Sequence, residues 1–426
     1  MRVLFSIMPA TAHLYPIVPL AWALQASGHE VRVASHPDMA ATITAAGLTA
    51  VSVGRPADLG ALMRDGASDQ RLEQITEALE IGSDDLNLRN AIRYYTLAGV
   101  SLYFPTDPQR AESDRAVDDL VAFARSWRPD LVLWDPLVLA APVAARLSGA
   151  AHARVLYGLD YVGWAQQRFT ERIGRPAQPL TEHPLAELMR PTLRRFGLDF
   201  DAELAVGQWT LDLLPERMRL PVDLRYTALR RVPYTGTTTV PQWLYDEPKR
   251  PRVCLTLGMS TRKFLSGHGA SPIADIFGLV EELDIELVAT VNSAQLADVE
   301  ELPDQVRIVD YLPLDLLLPT CSAVVHHGGG GTFAAAVAHQ VPQLIPAPGE
   351  GGDRVAFARY VEQRGAGLTV SRTDYSADVF AEQLFRVLHE PSFQDGAAGL
   401  HDDMLATPSP RDVVPVLEKL SDRYRR

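Results

Sequence analysis

The chain has 426 residues, a formal net charge of −13, 47% hydrophobic residues and two cysteines. The acidic balance argues against nucleic acid or an anionic membrane surface as a partner. Cys254 and Cys321, far apart and outside any metal-ligand cluster, argue against a disulfide framework or a zinc site.

The length implies two or three domains. Residues 3–8 read as a buried strand, 9–16 as a proline-bearing turn, 17–27 as an apolar helix stopped by Gly28, and 30–34 as a second strand. Pro9, His13, Pro16 and Pro19 interrupt the first apolar run, and no 18 apolar residues follow one another. Neither a secretory leader nor a membrane span is therefore expected, and the cytoplasm is the default location. This βαβ opening is the signature of a doubly wound sheet, with ligand sites at the C-terminal ends of its strands. His13 lies at such an end; the alternative is a hydrogen-bonding loop histidine. His29 and His36 read as structural. A helix at 40–46 and a strand at 49–53 follow. From 55 to 104 the chain is polar and helical, with Tyr94, Tyr95, Tyr103 and Phe104 suiting either a variable substrate wall or plain core.

Residues 116–127 read as helix, and 130–134 as a strand ending at Asp135-Pro136. Asp135 either points into the crevice, to bind or activate a hydroxyl, or caps a helix at 137–147. A strand at 153–156 precedes helices over 160–220. Pro221, Pro233, Pro241, Pro248 and the threonine run at 235–239 mark 221–250 as a linker between domains at 1–220 and 251–408. Strands then recur at 252–257, 286–291, 306–309, 323–326, 343–345 and 367–370. Helices are expected near 273–283, 315–320, 332–339, 354–364, 377–389 and 413–426. Two α/β halves facing each other are expected to make a cleft.

The stretch 323–357, AVVHHGGGGTFAAAVAHQVPQLIPAPGEGGDRVAF, organises the second half. It reads as strand, glycine turn and helix. Glycines allow close backbone approach, and the start of the new helix suits an anion such as phosphate. His327 adds a hydrogen-bond donor, and the next loop carries Glu350 and Asp353. A diphosphate on the first loop and carboxylates on the second describe a nucleotide-sugar site. Taken alone, the turn also fits any nucleotide, or tight packing.

These residues identify a resemblance. The chain resembles a GT-B-fold glycosyltransferase of glycosyltransferase family 1. It is most similar to the actinobacterial enzymes that attach deoxysugars, often aminosugars, to macrolide and other polyketide antibiotics. The likeness runs end to end. It is carried by MRVLFSIMPATAHLYPIVPLAWALQASGHEVRVA, WRPDLVLWDPL, GQWTLDLLPERMRLP, RVCLTLGMST, VRIVDYLPLDLLLPTCSAVVHHGGGGT and QVPQLIPAPGEGGDR. It implies two Rossmann-like doubly wound α/β domains facing a cleft, with a helix at 409–426 returning to the first.

The resemblance also implies roles. His327, Gly330, Gly331 and Thr332 would hold the donor diphosphate, faced by Gly258, Ser260 and Thr261. Arg262 and Lys263 either add charge or form a solvated loop. Tyr311, where the family often has tryptophan, would stack on the base, with the Leu312 backbone at its edge; the alternative is a packed loop aromatic. Asp353 falls where an acidic residue binds sugar hydroxyls. Arg354 stands where glutamine is usual, and Glu350 lies in a glycine-rich insertion, which leaves the sugar's identity open.

An acceptor hydroxyl is a poor nucleophile until its proton is removed. His13 would be the general base, giving direct displacement with inversion, and either Asp107 or Asp135 would hold its other nitrogen. The helix start and His327 would stabilise charge on the leaving nucleotide. No metal cofactor is expected: Asp84-Asp85, Asp118-Asp119 and Asp402-Asp403 read as helix-surface acids. The expected partners are a dTDP-deoxysugar and a polyketide or macrolide aglycone. A cytochrome-P450-like helper without haem ligation, docking near 65–110, and a homodimer are compatible with the resemblance. An epimerase of the same architecture and a non-catalytic binding or helper protein are the competing readings.

Overall fold

A computed structural model describes residues 1–59, 71–82, 85–93, 97, 99–104, 115–173, 182–258, 273–291, 302–346, 353–371 and 373–426. Two compact units divide it. One comprises Met1–Arg230 with Pro408–Arg426, the other Arg231–Thr407.

The first unit is built on a seven-stranded sheet in the order β3-β2-β1-β4-β5-β6-β7. Its strands are β1 (Arg2–Ser6), β2 (Glu30–Ser35), β3 (Thr49–Ser52), β4 (Leu131–Trp134), β5 (Ala151–Leu156), β6 (Trp209–Asp212) and β7 (Tyr226–Ala228). All pairings are parallel. β4 and β5 are buried along their whole length, as expected of parallel strands covered on both faces. The helix Ala116–Trp127 buries Ala116, Val117, Leu120, Val121, Ala124 and Trp127, an apolar stripe of helical period. It packs on the helix Ala140–Ser148, which ends at Gly149 in the left-handed conformation.

The helix Pro410–Tyr424 belongs to this unit and starts with a capping box between Ser409 and Asp412. It packs on the helix Val18–Ala26 and on β5, burying Val413, Val414 and Leu417. Around it, Ser421 Oγ donates to the Asp130 carbonyl at 3.2 Å, and Tyr424 stacks on Trp209 at 5.4 Å. His29 pairs with Glu418 at 3.1 Å, and His36 bonds the Arg55 carbonyl at 2.6 Å, so both are structural. Tyr103 and Phe104 are buried core residues; Tyr94 and Tyr95 lie outside the described residues.

The second unit has a six-stranded parallel sheet in the order β10-β9-β8-β11-β12-β13. Its strands are β8 (Arg252–Thr256), β9 (Glu286–Thr290), β10 (Val306–Val309), β11 (Ala323–His326), β12 (Gln343–Pro346) and β13 (Gly367–Val370). Side-chain alternation divides the core. Val253, Leu255, Leu287, Ala289, Val325 and Leu344 pack with Ile276 and Phe380 on one face. Cys254, Val288 and Val324 pack with Leu317, Ala335 and Ala336 on the other.

Three elements were not anticipated from the sequence. β6 lies in the stretch read as helical, and β7 in the stretch read as linker. At four and three residues they are too short to show a period. The helix Pro391–Ala406 was not anticipated, because Gly396 and Gly399 weaken its pattern. Gly396 is needed there: a Cβ would lie 2.0 Å from the Gly365 carbonyl oxygen. Among the described residues, no helix is long and apolar enough to cross a membrane.

Leu417 is fully buried. Leu417→Ala should lower the stability of the first unit by about 2–5 kcal/mol, read as a lower urea midpoint.

Candidate functional site

In the first unit, strand order reverses between β1 and β4, the position at which doubly wound sheets open a crevice. His13 lies in the short helix Thr11–Leu14 after β1, and Asp135 directly follows β4. Ser6 is in register with Trp134, and the Asp135 N–H donates to the Ser6 carbonyl at 3.0 Å. The Asp135 side chain is fully buried and that of His13 is 21% exposed. His13 Nδ1 lies 2.6 Å from Asp135 Oδ2, while Asp135 Oδ1 accepts the Leu137 N–H at 2.9 Å. The two readings of Asp135 therefore hold together: it closes the turn after β4 and it grips the histidine. The helix behind it begins at Ala140, later than expected, without a side-chain cap.

Burial pushes the Asp135 carboxyl up. The charge His13 carries when protonated, with hydrogen bonds from His13, Tyr157 and the Leu137 N–H, outweighs burial and holds it below the ordinary carboxylate value. Asp135 is thus an anion with its lone pairs committed. Tyr157 is the residue that sequence reasoning missed. It follows β5, which is next to β4, so it emerges at the same sheet edge. Its hydroxyl donates to Asp135 Oδ2 and lies 2.5 Å from His13 Nδ1. An aromatic hydroxyl just beyond a strand adjacent to the reversal was the available signal.

In the second unit the reversal falls between β8 and β11. His326, the last residue of β11, is in register with Thr256, the last of β8. His326 is fully buried. It accepts the Gly328 N–H on Nδ1 at 3.1 Å and donates from Nε2 to Gln343 Oε1 at 3.0 Å. That bond pins the turn at Gly328, whose φ of +83° favours glycine.

His327 is clamped by glycines. A Cβ on Gly258 would lie 2.4 Å from its Cε1, and one on Gly329 would lie 2.5 Å from its Nε2. Burial lowers its pKa to about 3, helped by the Arg354 charge and His326, while a hydrogen bond to the Thr256 backbone opposes. It is therefore a neutral imidazole.

The helix Gly330–Ala338 starts at Gly329 with no side-chain cap and no acid in its first turn, so its leading N–H groups keep their capacity for an anion. A Cβ on Gly331 would meet nothing within 4 Å, which marks open space; Thr332 is buried. Asp353 and Arg354 begin the helix Arg354–Gln363 beside this loop. A Cβ on Gly328 would lie 3.2 Å from the Arg354 carbonyl oxygen, and one on Gly330 would lie 3.0 Å from the Phe357 ring. Tyr311 is 40% exposed, and its hydroxyl donates to the Thr235 carbonyl, which tethers the ring while leaving much of it open. Leu312 is buried in the core.

Comparison with known proteins identifies this arrangement. Residues 22–258 match the erythromycin biosynthesis protein CIII-like N-terminal domain, and residues 274–420 match the corresponding C-terminal domain. The chain belongs to this family. It is 46% identical to the aclacinomycin-T 2-deoxy-L-fucose transferase of Streptomyces galilaeus, over all of this chain and 97% of the relative. Among solved structures, spinosyn forosaminyltransferase SpnP is 39% identical with a TM-score of 0.82, covering 99% of both chains. Glycosyltransferase VinC in complex with dTDP is 37% identical with a TM-score of 0.81, covering 99% of this chain and 100% of that one. This CIII-like protein is therefore a GT-B glycosyltransferase of antibiotic biosynthesis, with the two Rossmann-like units expected from its sequence.

Two groups thus gather in the CIII-like chain, each within its own unit: His13, Asp135 and Tyr157 in the first; Gly258, His327, Gly330, Gly331, Thr332, Asp353 and Arg354 in the second. Tyr311 and Leu312 follow β10. Asp107, Ser260, Thr261, Arg262, Lys263 and Glu350 lie outside the described residues.

Glycine 258 and glycine 331 should behave oppositely. Gly258→Ala should lower the melting temperature, because its Cβ displaces His327 and its φ of +71° is strained. Gly331→Ala should leave melting unchanged while weakening dTDP binding, read by calorimetry. Acid should also destabilise the second unit. His326, held down to about 4 by burial, resists protonation when folded, whereas the unfolded chain takes up its proton near 6.5. Its contribution is complete above the unfolded value and is lost as pH falls toward the folded one. Urea midpoints should drop between about pH 7 and pH 4.5, and His326→Asn should flatten that slope.

Proposed function

We propose that this CIII-like protein transfers a deoxysugar from a dTDP-sugar to a hydroxyl of a macrolide or polyketide aglycone, with inversion at the anomeric carbon and without a metal ion. The contact between His13 Nδ1 and the buried Asp135 carboxylate carries the reading. A proton on Nδ1 leaves Nε2 as the acceptor for a hydroxyl proton, and the Asp135 charge stabilises the imidazolium that forms. This choice favours Asp135 over Asp107 as the acidic partner.

The donor half of the reading draws on the uncapped helix start at Gly330, which offers neutral N–H groups to a diphosphate. Neutral His327, its one N–H turned to the Thr256 backbone, walls the cradle beside Gly258, and the backbone N–H groups of Gly331 and Thr332 face the leaving oxygens. Tyr311 stacks on the thymine ring, with the Leu312 backbone at its edge. Asp353 binds sugar hydroxyls, and Arg354 replaces the usual glutamine. Support for dTDP comes from the VinC complex, and support for a deoxysugar from relatives such as the transferase of 2-deoxy-L-fucose. Polyketide-type acceptors are supported by the 10-deoxymethynolide desosaminyltransferase of Streptomyces venezuelae, 42% identical over all of this chain. Among the described residues, no group of three or more His, Cys, Asp or Glu side chains could hold a metal ion. A helper protein and a paired assembly have the family resemblance as their support.

Calorimetric titration should give tight dTDP binding, weaker UDP binding and no change with EDTA. His13→Ala should cut transfer by about 10²–10⁴-fold, the usual scale of general-base catalysis, while leaving dTDP affinity nearly intact. Transfer that survives this change sinks the assignment of the base.

A further inference from the structure

We propose that Tyr157 is a positioning residue, whose hydroxyl joins Asp135 in holding the His13 imidazole as the Nδ1–H tautomer and so keeps Nε2 bare. The inference rests on the reading of His13 as the base and adds a third member to that pair.

Three atoms stand in mutual contact: His13 Nδ1, Asp135 Oδ2 and the Tyr157 hydroxyl oxygen. The phenol proton is committed to Asp135 Oδ2. The phenol oxygen therefore presents lone pairs to His13 Nδ1 at 2.5 Å, while the carboxylate oxygen faces the same nitrogen at 2.6 Å. Two acceptors converge on one nitrogen. A proton there satisfies both, whereas a bare Nδ1 would set a third lone pair against them.

The reverse wiring, with the phenol donating to a bare Nδ1, is disfavoured by the carboxylate. Asp135 Oδ2 would lose both side-chain donors and keep the Met8 N–H at 3.4 Å. A fully buried carboxylate oxygen left so poorly served is costly. The rings meet edge to face at 84°, with centroids 5.1 Å apart, so packing as well as hydrogen bonding holds the imidazole plane. When Nε2 takes a proton from the acceptor hydroxyl, Nδ1–H keeps both acceptors. The base then changes charge without rearranging its inner side.

The test is nuclear magnetic resonance of protein labelled with ¹⁵N-histidine, with His13 assigned by its disappearance in His13→Ala. The wild type should show His13 protonated on Nδ1 when neutral. Tyr157→Phe should shift part of the population to the Nε2–H tautomer. It should also lower kcat by about tenfold, the scale of one hydrogen bond, with the donor KM unchanged. A wild-type His13 protonated on Nε2 overturns the proposal without any variant. So does a folded Tyr157→Phe variant that keeps both tautomer and kcat. A wild type that transfers no sugar from any dTDP-sugar would overturn the functional reading instead. The two failures are distinguishable because the tautomer readout needs no substrate.

Discussion

Pairing of β1 with β4, and of β8 with β11, decides where chemistry can occur in this chain. At a reversal of strand order the neighbouring connections leave on opposite faces, and the strand ends stay uncovered. Ser6 beside Trp134 sets the turn carrying His13 against Asp135, and the Asp135 N–H extends the ladder by one bond at 3.0 Å. Thr256 beside His326 sets Gly258 against His327 in the same way. A single topological constraint, used once in each unit, aligns an acid–base pair in the first and an anion cradle in the second.

Burial makes these groups effective only where their polarity is matched. Asp135 stays ionised because donors converge on it, and His326 and His327 stay neutral because burial disfavours their cations. Perturbed titration alone does not mark a functional residue. Asp160 is also buried and held low, but Arg154 grips both its oxygens at 2.7 Å, while Gly163 N–H and the Tyr226 hydroxyl take further lone pairs. There the carboxylate is spent on the buried Arg154 and is itself only 3% exposed. His13 differs because it spends one nitrogen inward and retains 21% exposure.

The sequence made the long elements and the glycine loops legible, since apolar period and glycine spacing are local properties. Ala116–Trp127 and Ala377–His389 fall within the expected bounds because each has a clear stripe and an identifiable start or stop. β6, β7 and the helix Pro391–Ala406 were hidden, two by brevity and one by a glycine whose purpose is close approach to Gly365. At the site, His13, Asp135 and His327 could be placed at strand ends from pattern alone. Tyr157 could not, because its role depends on β5 lying beside β4, a fact of pairing between segments. His326 was likewise opaque: only the register of β11 with β12 explains why it meets Gln343.

The helix Pro410–Tyr424 has a consequence for synthesis. The first unit draws on residues 408–426 to cover the helix Val18–Ala26 and β5, and the Arg426 N–H closes on the Gly149 carbonyl at 3.0 Å. The second unit is continuous from Arg231 to Thr407. On the ribosome, where domains usually fold in order from the N-terminus, this order is inverted for completion. The second unit has all its strands and helices first, while the earlier-made sheet waits with an apolar face uncovered. A nascent chain of this design exposes that face for the whole translation of the second unit, which makes the interval before residues 408–426 emerge its period of greatest exposure to aggregation and to chaperones.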